Sequence, residues 1–315
     1  MIMAFSVEIK NDKISPVIFL KDDDKKTHAE IYSFGALLNA FTMGGSINVI
    51  DGYDSQQQAS DTITNGFKSA KLSPYVCRIA KGKYVFNKQQ YKIGKFFLGK
   101  ESIHGLLFDA DFAITNYGSN EDAAFATLQY NYANEDEGYP FNYICAVTYN
   151  LKKNNTLTII TSVKNNSDTE MPVCDGWHPY FKLDASIDEL LFQLNANKIL
   201  EFDGNLIPTG EVMSYNKFQQ PEIIGDTFFD NCFLLNENYN AACIIKNKKS
   251  GLELTIQPDE SYPYLQLYTP EHRNSIAIEN LSAAPDAFNN KMGIKILKPG
   301  EIFSFKTTYT ASVKL

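Results

Sequence analysis

Arginine is nearly missing from this chain: Arg78 and Arg273 are the only two among 315 residues, and the formal net charge is -8. Without clustered Lys and Arg, no electrostatic footprint for nucleic acid or an anionic membrane is expected. No segment has the long uncharged apolar run of a membrane span, and the opening MIMAFSVEIKNDK has no basic stretch followed by an apolar one, so a cytoplasmic protein is expected. The five cysteines, Cys77, Cys145, Cys174, Cys232 and Cys243, are odd in number and widely spaced, with no Cys-x-x-Cys pair. That suggests neither a disulfide framework nor a zinc ribbon. A P-loop, a dinucleotide fingerprint and metal-ligand spacing are also missing, so neither a cofactor nor a metal is expected. No repeat, low-complexity linker or shift of composition divides the sequence. Its length could hold two average domains, but all-β folds of this size often form one, and residues 1–315 are expected to be a single domain.

What the chain does contain is a period of two. Cys145, Val147, Tyr149 and Leu151 alternate with polar residues, as do Leu157 and Ile159, Leu190 to Leu194, Leu252 to Ile256, and Phe303 to Tyr309. Each is a strand signal. Between them stand turn-forming clusters: LKKNN, KNNSD, FDGNLIPTG, KNKKSG and LKPGE. Helical periodicity is scarce, with a turn or two expected in DTITNGFKSAKL. The acidic stretches SNEDAAF and NEDEGYPF are expected to be solvated loops. An all-β fold follows, a large antiparallel β-sandwich.

Two strands carry residues that a core would not demand. In DGWHPYFKL, Pro179 bars His178 from the α region and cannot itself donate to a ladder, which places His178 at a strand end, an edge or a bulge. Alternation sets His178 on the face of Gly176, which leaves room beside it, and turns Trp177 toward the core. In NSIAIENLSAAPDAFNN, Ile276 and Ile278 point one way while Ser275, Ala277 and Glu279 point the other, so a carboxylate lies on a face of small residues. The turn LSAAPDAF after it is expected to form the rim of a cleft. On local sequence alone, a partly buried histidine bonded to backbone accounts for His178, and a solvated strand-end charge accounts for Glu279. His28 is read as a surface residue and His272 as a turn residue.

Six segments in register across the whole chain add more. LSPYVCRI with Arg78, ESIHGLLF with His104, GWHPYF with His178, NLIPTGE, FFDNCF with Asp230, and AIENLSAAPDAFN with Glu279 together resemble the aldose 1-epimerases, the galactose mutarotase-like proteins. The resemblance implies that family's supersandwich with a sugar cleft on one sheet. It also implies Glu279 as general base, His178 as general acid, and Arg78, His104 and Asp230 as substrate-binding residues. The sequence departs from the family pattern at Cys77, where Asn is common, and at Asn280, where Pro is common; both bear on fine substrate contacts.

The implied function is aldose 1-epimerase activity on a free aldohexose such as galactose or glucose, in a monomer or homodimer. One base takes the O1 proton, one acid protonates the ring oxygen, and no metal is needed. An unperturbed histidine is mostly neutral at pH 7, so Glu279 and Asp230, if they share its cleft, are expected to raise the His178 pKa. Rival readings are a hexose-6-phosphate 1-epimerase, disfavoured by the want of arginine clamps, a non-catalytic sugar-binding protein on the same fold, and a polysaccharide lyase, which would call for a basic groove.

Overall fold

The computed structural model describes residues 4–237 and 239–314. A nine-stranded sheet runs from Ala113–Ser119 through Ala123–Ala133, Asn142–Lys152, Thr156–Asn165, Ile302–Val313, Leu252–Pro258, Cys243–Lys246 and Leu191–Leu194 to Glu222–Ile223. Its central strands show why the alternation was readable: Tyr143, Cys145, Val147, Tyr149 and Leu151 are buried, while the residues between them are half-buried. The face they share is the core face.

A second sheet lies against that face. Its order is Pro208–Ser214, Ala196–Phe202, Asp230–Leu235, Tyr264–Tyr268, Ile276–Leu281, Gly176–His178 and Ala70–Leu72, with Tyr180–Phe181 also pairing to Ile276–Leu281. Neighbouring strands in both sheets are antiparallel. Aromatic edges interlock across the layer between the sheets: Tyr149 on Trp177 at 6.1 Å and Phe181 on Tyr309 at 5.3 Å between ring centroids. Asn280 points into this layer too, where its Oδ1 accepts from the Thr307 hydroxyl at 2.8 Å. That departure from the family pattern is therefore a core contact between the sheets and not a cleft contact. The N-terminal residues add a five-stranded sheet from Phe5–Lys10 to Ile47–Asn48, and a three-stranded ribbon joins Arg78–Ile79, Glu101–Ile103 and Phe97–Leu98.

The longer helix among the described residues starts before the expected stretch and runs into it, and turns follow there, with the Phe67 N–H donating to the Ile63 carbonyl at 2.9 Å. It spans Gln56–Thr62, with the Ser55 side chain accepting from the Gln58 N–H as N-cap, and only its last two residues enter DTITNGFKSAKL. Its sequence, QQQASDT, has no apolar stripe to read. Instead, the buried Gln56 amide holds it down, donating to the Ser15 carbonyl at 2.7 Å and accepting from the Ser15 hydroxyl at 2.9 Å.

Beneath the strand that carries His178 lies a buried ion pair. Lys71 Nζ is 2.6 Å from Asp175 Oδ1, with both side chains fully buried. The ammonium also donates to the Gly176 carbonyl at 3.0 Å and lies 4.3 Å above the Trp177 ring, and the Tyr262 hydroxyl donates to the same carboxylate oxygen at 2.6 Å. Burial pushes the Asp175 carboxyl up, and Lys71 opposes that shift. Lys71→Ala strands a carboxylate in the core, which is expected to cost about 3–5 kcal/mol of stability. Urea unfolding measures this; a loss below about 1 kcal/mol would show that the pair does not anchor the strand.

Candidate active site

The face of the second sheet turned away from the nine-stranded sheet carries a polar set. Ile276 and Ile278 are fully buried, and just beyond them Glu279, 2% exposed, faces the other way. Gln266 lies directly across from Glu279 in register, and Asp230 lies across from Tyr268. His178 ends its strand, held by its carbonyl accepting from the Ser69 N–H at 2.8 Å, and Pro179 offers only its carbonyl, to the Ile278 N–H at 3.2 Å. The proline thus stops the strand where the imidazole meets the cavity. Trp177 faces the core, as the alternation requires. The space beside Gly176 is filled and not open: a Cβ there would lie 2.8 Å from Leu281 and 3.0 Å from Val76.

Arg78 and His104 come from the ribbon. The His104 N–H donates to the Cys77 carbonyl at 2.8 Å, which locks the two segments together. His104 adopts φ +63 and Gly105 φ +80, and a Cβ on Gly105 would lie 2.4 Å from the Ser73 carbonyl oxygen. Only glycine fits that turn, and the turn aims His104 inward. Cys77 also sits at a left-handed φ of +47, a conformation that asparagine tolerates well. Cys77 lines the cavity, so this departure, unlike the one at Asn280, lies in the cleft.

All five residues singled out in the sequence, Arg78, His104, His178, Asp230 and Glu279, line one cavity of about 350 Å³, within the range of about 300–1,000 Å³ usual for small-molecule sites. His178 Nε2 stands 3.3 Å from Glu279 Oε1. The imidazole is fixed from both sides, stacked on Tyr180 at 5.2 Å and 19° and meeting the edge of His104 at 5.0 Å and 84°. Phe67 packs on His104 at 4.5 Å. Asp230 accepts from the Gln266 amide at 3.0 Å. His28 is half-buried on a strand; His272 is exposed in a turn, its Nδ1 accepting from the Asn274 N–H at 3.0 Å. Arg273 is committed elsewhere, to Asp188 and to the carbonyls of Gly225 and Thr227.

The electrostatics correct one expectation. Burial dominates at His178 and pushes its pKa down to about 4, although carboxylates share the cleft. Burial lowers His104 as well, with His178 and Arg78 adding to the shift. At Glu279 burial pushes the carboxyl well above its usual range; Asp230 adds to the shift and Arg78 opposes it. His178 and Glu279 are buried and 3.3 Å apart, and the state that burial favours is a neutral imidazole beside a neutral carboxylic acid.

Sequence reasoning missed two contributors. Gln266, flanked by Leu265 and Leu267 in YLQLY, is a polar residue on the cleft face of a core strand, and that alternation was its signal. Asp286 is the other. The turn LSAAPDAF is buried and is not a rim; it braces the arginine strand, its Asp286 N–H donating to the Arg78 carbonyl at 2.7 Å and its carboxylate accepting from the Ala80 N–H at 2.9 Å.

Comparison with known proteins agrees with this architecture. The family model described as aldose 1-epimerase matches residues 16–310. Among curated proteins, YihR of Escherichia coli (strain K12) is 28% identical over 283 residues, which covers 87% of either chain. Among solved structures, a galactose mutarotase-like protein from Clostridium acetobutylicum superposes with a TM-score of 0.88 at 17% identity, and a galactose 1-epimerase from Lactobacillus acidophilus with 0.84 at 18%, each covering 99% of both chains.

Proposed function

Since the chain belongs to the aldose 1-epimerase family, we propose that it interconverts the α and β anomers of a free aldohexose, with Glu279 and His178 moving the protons. The observation that carries this reading is the Nε2 to Oε1 approach of 3.3 Å between two buried ionisable groups at a cavity of sugar size. Glu279 removes the O1 proton while His178 delivers one to the ring oxygen, and the C1 to ring-oxygen bond opens to the aldehyde. C1 turns about its bond to C2. Reclosure returns the ring-oxygen proton to His178 and a proton from Glu279 to O1, so the pair ends as it began.

The intermediate stage of that cycle has a protonated Glu279 and a neutral His178. Burial stabilises this stage relative to the ion pair that precedes it, which helps the outward transfer. Arg78 works in the other direction, favouring the ionised Glu279 that a base requires. Arg78, His104 and Asp230 are proposed to bind and orient the sugar hydroxyls, with Gln266 fixing Asp230.

Among the described residues lining the cavity, Arg78 is the only Lys or Arg, against Asp230 and Glu279. That balance favours a neutral sugar over a hexose 6-phosphate. Polarimetry on freshly dissolved α-D-galactose and α-D-glucose, with galactose and glucose 6-phosphates beside them, tests the reading. Acceleration confined to the free sugars is expected; acceleration of none points to a binding protein.

Arg78→Lys is expected to lower kcat/KM by about 10–100-fold, largely through KM. The planar fork that donates to two oxygens at once is lost although the charge remains, and a charge-assisted hydrogen bond contributes about 1.5–3 kcal/mol. Unchanged affinity and rate would make Arg78 a purely structural residue.

A further inference from the structure

We propose that the same cleft is a transition-metal site, in which His104, His178 and Glu279 form a two-histidine, one-carboxylate set that takes Zn²⁺, Cu²⁺ or Ni²⁺ where the sugar would bind. The three residues are far apart in sequence, and no ligand spacing announces them; the sheet and the ribbon bring them together. One ligand atom from each lies within 4.8 Å of the others. The His178 to Glu279 pair at 3.3 Å is already at the bite of a tetrahedral ion, since two ligands at about 2.0–2.2 Å from zinc stand roughly 3.4 Å apart. His104 has less than about 1.5 Å to close. His178 and Glu279 are more than nine-tenths buried, and the second oxygen of Glu279, Nδ1 of His104 and Nδ1 of His178 have no hydrogen-bond partner among the described residues.

The donor set selects the ion. Two imidazoles and one carboxylate suit the later first-row divalent metals, whereas Mg²⁺ and Ca²⁺ require shells of oxygen. Three protein ligands leave a fourth position for water. Asp230 nearby favours a cation and Arg78 opposes it, since Glu279 feels both charges. Histidines of a resident metal centre normally pass their second N–H to a carboxylate or carbonyl. Nδ1 of His178 has no such partner among the described residues, so the ion is an exchangeable occupant and not a built-in cofactor. It sits on Nε2 and Oε1, the atoms proposed to carry the protons, and must therefore inhibit; this last step alone rests on the anomerase reading.

Tag-free protein titrated with Zn²⁺ by calorimetry, and with Co²⁺ by visible absorption, tests the site without turnover. One equivalent per chain is expected, with tetrahedral cobalt bands and no response to Mg²⁺. His104→Gln, His178→Gln and Glu279→Gln should each weaken binding by at least the 10–100-fold or so that loss of even an outer partner costs. Circular dichroism checks that each variant is folded. No saturable binding, or binding that survives all three substitutions, overturns the site. In parallel, the polarimetric rate should fall as Zn²⁺ binds and return with a chelator. Binding to a protein that shows no anomerisation without metal would uphold the site and overturn the anomerase reading instead.

Discussion

Glu279→Gln is expected to slow anomerisation by about 10²–10⁴-fold, the usual contribution of a general base, and to leave the protein folded and more stable than the parent at alkaline pH. The two halves have one cause. Folding buries Glu279 to 2% exposure and pushes its pKa well above the usual range. The folded state therefore holds a proton that the unfolded state has released, and stability declines as pH rises from about 4.5 through the raised value. Glutamine has the same shape and no proton to lose, so the decline attributable to position 279 disappears. Thermal melts across pH, run beside polarimetry, measure both effects. A folded variant with a near-parental rate would remove Glu279 from the mechanism. One that lost its activity and was also less stable at high pH would show that the carboxylate is structural.

His178→Asn should lose about 10²–10⁴ in rate and, more tellingly, one limb of its pH profile. The active pair holds a single proton. Activity should fall on the acid side as a second proton reaches His178, near its lowered pKa of about 4, and on the alkaline side as the shared proton leaves from the raised Glu279. That is the reverse of the naive assignment, in which the glutamate gives the acid limb and the histidine the alkaline one. Asn can donate a hydrogen bond to the ring oxygen but cannot protonate it. The alkaline limb should therefore vanish, and the residual activity should rise with pH as Glu279 ionises. A folded His178→Asn protein that keeps both rate and bell would identify another proton donor, with His104, 5.0 Å away ring to ring, the first suspect.

The fold was legible because the period of two in segments such as Tyr143 to Leu151 is imposed by one buried face, and the turn clusters between strands are local. The five cleft residues were legible because they sit in motifs that resemble one family, and Pro179 and the alternation around Glu279 gave independent local reasons for two of them. What stayed hidden depends on the third dimension. Asp286 braces Arg78 from 206 residues beyond Ala80, and Lys71 reaches Asp175 across 104 residues. The sign of the His178 shift could not be read either. It depends on how deeply the imidazole is buried, and nothing in GWHPYF encodes depth.

In the proposed reaction, the buried groups open the ring without breaking the C1–O1 bond. This is tested most directly with [1-¹³C, 1-¹⁸O]-D-galactose, added as one anomer and followed by ¹³C NMR, where the ¹⁸O isotope shift reports each anomer's oxygen. The protein is expected to accelerate interconversion of the two C1 signals, and both anomers are expected to keep their ¹⁸O at equilibrium. No acceleration, or label lost to water as fast as the anomers exchange, would contradict it.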